Sequence, residues 1–284
     1  LIYVGDGASN TYTNVLIADM TIDGQKASYA STNNSGIMFS GKVTDSRITN
    51  VHVKNNGGSA IFLNPTTPNS ANSNSYNTID NNILENSTNG VNLSSYAPYT
   101  RVNNNSFKSI TSRSIIVGTG SNHLTVGNNI ISNSSNNGIQ LTDVYDGLIS
   151  GNTVVDGSGT GIYVSSSTKM SITGNTIQNN ASTGITLISS AHNNTITGNT
   201  IAENSSDGLL VDGSDYNTIS GNTISDNNGD GIQVYNGADF NFVGSNNIYN
   251  NAQHGVYVYT NSASNTVTAN MITKISYKLH NTCG

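Results

Sequence analysis

Residues 171–178 read SITGNTIQ, and nearly the same eight residues return as TITGNTIA at 195–202 and TISGNTIS at 218–225. Looser copies are LISGNTVV from Leu148, LTVGNNII from Leu124 and TVTANMIT from Thr266. Taking the apolar residue after each Gly-Asn step as a marker gives Ile83, Phe107, Ile130, Val154, Ile177, Ile201, Ile224, Ile248 and Ile272. Those markers are 23 or 24 residues apart, and two earlier ones, Ile22 and Val53, are followed by steps of 31 and 30. Self-similarity at such a period marks a stacked repeat. About eleven units fill the chain.

Each unit has one internal grammar. A strand of the type Asn-Thr-Ile-Thr meets a Gly-Asn corner, and a second strand, Thr-Ile-x-x, leads to a polar turn. A third strand, Gly-Ile-x-Leu/Val, opens at Gly138, Gly161, Gly184, Gly208, Gly231 and Gly255. Alternation with period two and β-branched inward positions mark strands, and no 3.6-residue apolar stripe competes with them. Three short strands bury nothing alone, so the units must stack. The expectation is an all-β, single-stranded parallel β-solenoid of about eleven coils over residues 1–272, with 273–284 as a C-terminal cap or tail. At a strand spacing of ~4.8 Å the rod is about 50 Å long.

Asn152, Asn175, Asn199, Asn222 and Asn246 recur at one corner. A tight bend there asks for a left-handed residue, a conformation that Asn tolerates. Stacked amides would also bond coil to coil along the rod. This is structural chemistry rather than a ligand site. The insertions Gln25–Ser35 and Asn64–Ser75 lengthen the first coils near the third strand, where they would wall a groove or cover the open sheet edge.

Composition narrows the function classes. The 284 residues carry 10 Lys+Arg against 16 Asp+Glu, a net charge of −6, with 9% charged and 34% hydrophobic residues. Ten dispersed cations build no patch for nucleic acid, and no apolar run approaches the ~18 residues of a membrane span. Cys283 is the single cysteine, so no intrachain disulfide forms. The chain opens at Leu1 without a basic-plus-apolar leader and reads as a mature product or an excised fragment. Low charge with many hydroxyls and amides points to a secreted, cell-surface or virion-surface protein.

Leucine-rich repeats need Leu-x-x-Leu-x-Leu and calcium-binding rolls need Gly-Gly-x-Gly-x-Asp, and neither occurs. From Asn14 to Ile272 the Gly-Asn-Thr-Ile units instead resemble the right-handed parallel β-helix superfamily. That superfamily includes pectate lyases, polygalacturonases, alginate epimerases and phage tailspikes. The repeat is most similar to the generic one shared with periplasmic copper-enzyme maturation proteins and archaeal surface proteins. The resemblance implies a right-handed helix and a polysaccharide substrate lying along the third strand. It implies nothing specific about activity, which resides in grafted sites.

Residues two past each Gly form one outward row: Asn92, Ile116, Gln140, Tyr163, Thr186, Leu210, Gln233, Tyr257. A second row reads Ser94, Gly118, Thr142, Ser165, Ile188, Asp212, Tyr235, Tyr259. Aromatics and amides on an exposed ladder suit sugar stacking and hydroxyl bonding, which nominates Tyr163, Gln233, Tyr235, Tyr257, Tyr259, Asp212 and Gln140 as substrate-binding. The same tyrosines are also good strand residues.

The row before each Gly is Arg113, Asn137, Thr160, Thr183, Asp207, Asp230, His254. Two carboxylates one strand spacing apart repel, which raises one pKa and suits acid–base or nucleophilic work in glycoside hydrolysis. His254 would relay a proton or orient a carboxylate. Polygalacturonases carry aspartates and a His on this face, but their Arg-x-Lys clamp is absent here. The structural alternative is that Asp-Gly and His-Gly are turn dipeptides.

Lys108 and Arg113 flank one turn, with Arg101 opening the same coil, and form an alternative lyase cluster. Calcium is the candidate cofactor of such chemistry, with Asp143 and Asp146 as its holders. In the epimerase motif, tyrosines of His254-Gly-Val-Tyr257-Val-Tyr259 stand in the places of acid and base. His52, His123, His192, His254 and His280 fall at different points of the coil, which argues against a metal centre. Two functions stay open: a polysaccharide-cleaving enzyme, hydrolase ahead of lyase, or a non-catalytic carbohydrate-binding or structural surface module. Relatives of the tailspike type form trimers.

Overall fold

The computed structural model describes residues 1–6, 10–25, 34–65 and 73–274. The inner parts of both insertions, most of the C-terminal tail, His280 and Cys283 lie outside the described residues. Three strand ladders run the length of a parallel β-helix. The third-strand sheet has eleven strands, from Ile2–Gly5 through Ile185–Ile188 and Leu209–Asp212 to Ile232–Tyr235 and Val256–Val258. The first and second strands of each coil join in a 20-stranded sheet. Their shared corner is absorbed into continuous eight-residue strands, Leu16–Asp23 and Arg47–Lys54, in the first two coils. Thr11–Thr13 pairs with Lys42–Thr44 as a small additional sheet. No helix occurs among the described residues, so none is long and apolar enough to cross a membrane.

Every pairing is parallel and steps by one repeat: Ile177 lies beside Ile201, Ile201 beside Ile224, and Ile224 beside Ile248. The inward Ile, Val and Leu residues of all three ladders form one continuous buried cluster, with Phe39 and Phe107 its largest members. Each such side chain contributes about 1.5–3 kcal/mol by leaving water.

Two sequence markers sit one residue off. Ile83 and Ile130 face solvent, 49% and 59% exposed, and the core positions are Leu84 and Ile131. Leu84 pairs with Phe107, and Phe107 with Ile131. Two adjacent apolar residues satisfy period two equally well, and a one-residue slip reverses the face. The inward residue is the one two past the buried asparagine: Asn82 to Leu84, Asn129 to Ile131.

The asparagine ladder is present, with its backbone conformation elsewhere than expected. Asn175 Oδ1 accepts both the N–H and the Nδ2 of Asn152 at 2.9 Å, and Asn199 Oδ1 does the same for Asn175 at 2.9 Å. The left-handed residue is the one before each ladder member: Gly151, Gly174, Gly198 and Gly221 at φ 64–65°, and Ser245 at 58°. The corner bends there, so that the following Asn turns its side chain inward. The other two corners repeat the device with Asn180, Asn204, Asn227, Asn251 and with Asn194, Asn217, Asn241, Asn265. A Cβ on Gly174 would meet nothing within 4 Å, so Gly174→Ala tests the backbone strain alone. It is expected to cost about 1 kcal/mol, read from urea denaturation.

Candidate active site

The residues before the third strand stack in register and cap one another. Asn137 Oδ1 accepts the Thr160 N–H at 3.1 Å. Asp207 Oδ1 accepts the Asp230 N–H at 2.7 Å, and Asp230 Oδ1 accepts the His254 N–H at 2.8 Å. Gly229 makes room for this, because a Cβ there would lie 2.3 Å from Asp207 Oδ1.

At Asp230 the row becomes more than a cap. Its Oδ1 also lies 2.8 Å from His254 Nδ1, and Gln233 Nε2 donates to Oδ2 at 3.1 Å. Asp230 is 1% exposed, while the His254 side chain is 21% exposed. The carboxylate therefore holds the proton on Nδ1 and leaves Nε2 as the ring's basic atom. His52, His123 and His192 also face an acid, Glu85, Asp146 and Asp215 respectively, but each of those carboxylates is far more exposed. Only His254, among the described histidines, has a buried anchor.

The ring continues into the outward rows. His254 stacks on Tyr257 (4.5 Å, 23°), Tyr257 on Tyr259 (4.4 Å, 10°), and Tyr259 on Tyr235 (5.6 Å, 15°). Tyr235 donates its hydroxyl proton to Asp212 Oδ2 at 3.0 Å, and Asn236 Nδ2 donates to Asp212 Oδ1 at 2.8 Å. Eight of the nominated residues thus form one connected set: Asp207, Asp230, Gln233, His254, Tyr257, Tyr259 and Tyr235, with Asp212 at its end. Gln140 and Tyr163 are neighbours of each other in the same outward row, but Thr186 and Leu210 separate them from Gln233.

The alternative cations do not share a ladder. Lys108 sits on the second-strand ladder between Glu85 and Ser132, Arg101 on the first, and Arg113 in the lead-in to Ile115–Val117. Asp146 pairs with His123, and among the described residues no three His, Cys, Asp or Glu side chains are grouped to hold a cation. A surface hollow of about 430 Å³ lies elsewhere, over Asp19, Met20, Asn50, His52 and Ile83.

The +23/+24 spacing also aligns aromatics that the sequence reading passed over. Tyr76, Tyr99 and His123 stack at 4.6 and 4.8 Å, and Tyr216 on Phe240 at 5.0 Å. All five occupy left-handed corner positions, outside the outward rows of the third strand.

Burial pushes the Asp207 carboxyl above the usual carboxylate range. The Asp230 N–H opposes this, and the neighbouring Asp230 charge adds to it. An ionised Asp207 therefore opposes folding at neutral pH. Asp207→Asn keeps an oxygen for the Asp230 N–H, as Asn137 does for Thr160, and is expected to raise the urea midpoint at pH 7. The gain should fade as pH falls through the raised folded value toward the ordinary 3.8. A gain that persists below that range would contradict the assignment.

The model of the right handed beta helix region matches residues 114–272, more than half of the chain. The chain belongs to this family. No curated protein matches it. Among solved structures, the A-module of the Azotobacter vinelandii mannuronan C-5 epimerase AlgE6 superposes on this β-helix with a TM-score of 0.80. The identity is 18%, covering 94% of this chain and 75% of the other. A double mutant of the periplasmic alginate epimerase AlgG gives 0.66 at 17% identity, covering 86% and 70%. The Dettilon tailspike protein gives 0.63 at 13%, covering 92% of this β-helix and 55% of the tailspike. At such identities the likeness is one of fold.

Proposed function

We propose that this β-helix acts on a polysaccharide lying along the third-strand face of its last coils, outside the cell or at its surface. Tyr235, Tyr257, Tyr259 and Gln233 form the sugar platform, and His254 is the group that moves a proton. The observation that carries this is the His254 ring, held by buried Asp230 on one side and continuous with half-buried tyrosine rings on the other. Structural neighbours named for mannuronan and alginate support the substrate class.

The geometry alters the roles expected for the acidic pair. A nucleophile or general acid must reach the sugar, and Asp230 is sealed with both oxygens engaged. Asp230 is thus a positioning residue, and paired-carboxylate hydrolysis through Asp207 and Asp230 is not the mechanism favoured here. Proton transfer by His254 Nε2 fits either hydrolysis through water or elimination.

His254→Ala is expected to lower kcat/KM on a responsive glycan by about a hundredfold or more, with circular dichroism unchanged. Turnover that survives this substitution would remove His254 from the chemistry. A second reading, a non-catalytic glycan-binding module, is favoured by one observation: Asp207 and Asp230 each cap the backbone N–H of the next residue in the Asp207–Asp230–His254 row. Binding that is lost in Tyr257→Ala, with no product released from any glycan, would establish it.

A further inference from the structure

From Met170 to Thr273 the chain carries seven carboxylates, Glu203, Asp207, Asp212, Asp215, Asp226, Asp230 and Asp239, and no lysine or arginine. Eight of the ten basic residues precede this stretch and the other two follow it. The first coils neutralise their acids, as in Arg47–Asp80 and Lys54–Asp23. The last coils satisfy theirs with neutral donors. Asp212 accepts from Tyr235 and Asn236, Asp226 from Asn250, and Asp215 from the Asp239 N–H. Among the described residues, the only cationic partners of the seven are His254 at Asp230 and His192 at Asp215, charged only when protonated.

The proposed platform sits inside this field. Asp212 is bonded to the Tyr235 hydroxyl, and Asp207 is close enough that it, too, tightens the Tyr235 proton. Burial is the largest cause of that tightening, followed by the Asp212 hydrogen bond. Unpaired like charges along a surface raise the local concentration of counter-ions and repel anions. A polyuronate would bring a carboxylate per sugar against Asp207 and Asp212 with no lysine or arginine in these coils to receive it. An ammonium group meets favourable partners on every side, carboxylate oxygens and tyrosine ring faces alike.

We infer that the third-strand face around Asp212, Tyr235, Tyr257 and Tyr259 selects glycans bearing protonated amino groups over polyuronates. This rests on the reading of that face as the glycan site.

The full chain should be titrated calorimetrically, at mildly acidic pH, with three oligosaccharides: glucosamine, N-acetylglucosamine and mannuronate oligomers. The glucosamine oligomer is expected to bind about tenfold tighter than its acetylated form, and the mannuronate oligomer more weakly than either. The gap should narrow on raising salt and in Asp212→Asn, while Tyr257→Ala weakens the glucosamine and acetylated oligomers alike. Mannuronate binding equal to or tighter than the acetylated oligomer, with or without added calcium, would overturn the charge selection. If that binding still weakens in Tyr257→Ala, the glycan face stands and only its selectivity falls. Binding of all three oligomers unaffected by Tyr257→Ala would overturn the face itself.

Discussion

Asn199→Ala is expected to destabilise the β-helix by about 4 kcal/mol although it removes no charge and almost no apolar surface. Asn199 Oδ1 receives the N–H and Nδ2 of Asn175, and its own Nδ2 donates to Ile172 O at 2.9 Å and to Asn222 Oδ1 at 3.0 Å. Truncation orphans the buried Asn175 N–H and takes the amide donor away from the Ile172 carbonyl inside the buried wall. Each buried orphan costs about 1–3 kcal/mol, and the lost amide leaves a void as well. Because Asn175 and Asn199 share the same pair of ladder bonds, a double substitution with Asn175→Ala should cost less than the sum of the two singles. Urea denaturation followed by circular dichroism reads both. A loss below about 1 kcal/mol would show that the ladder is ornament, with the aliphatic stack alone holding the coils.

Gly208→Ala adds a single methyl group and is expected to cost about 3 kcal/mol, roughly three times the Gly174→Ala change. Gly208 starts a third strand where its Cα faces the next coil. A Cβ would lie 2.4 Å from Ile224 Cγ2, 2.7 Å from Gly231 O and 2.9 Å from Asn227 Nδ2. Ile224 is fully buried and Gly231 O accepts the Leu209 N–H at 3.0 Å, so neither yields without moving a whole rung. The same backbone displacement carries Asp207 away from Asp230, so glycan turnover should fall together with stability. Gly174→Ala, at an open corner, should leave turnover intact. Equal losses in the two variants would mean that φ, and not the coil-to-coil spacing, dictates these glycines.

Much of the architecture was legible because one period repeats along the chain. The spacing of Asn175 and Asn199, or of Ile177 and Ile201, already makes them vertical neighbours in a parallel stack. The alignment of Asp207, Asp230 and His254 followed from the same counting. Failures occurred where local pattern is degenerate. Ile83-Leu84 and Ile130-Ile131 offer two apolar residues to one core position, and only the neighbouring coils choose between them. The Gly-Asn corner likewise contains two residues suited to a left-handed turn, and the need to aim an amide inward assigns that turn to Gly.

The site shows the same division. Counting placed an acid beside an acid and a histidine beside both, which depends only on chain connectivity and a constant rise per coil. Whether each carboxylate faces water depends on the angle at which the turn before the third strand meets the wall, a property of several coils packed together. That angle seals Asp230, turns it toward His254 Nδ1, and lays Tyr257, Tyr259 and Tyr235 into one continuous stack. Sequence alone thus determined which residues are neighbours, since a solenoid's neighbour relation is periodic. Tertiary structure alone decided which of them are buried, because burial is set by atoms from adjacent coils that no single repeat contains.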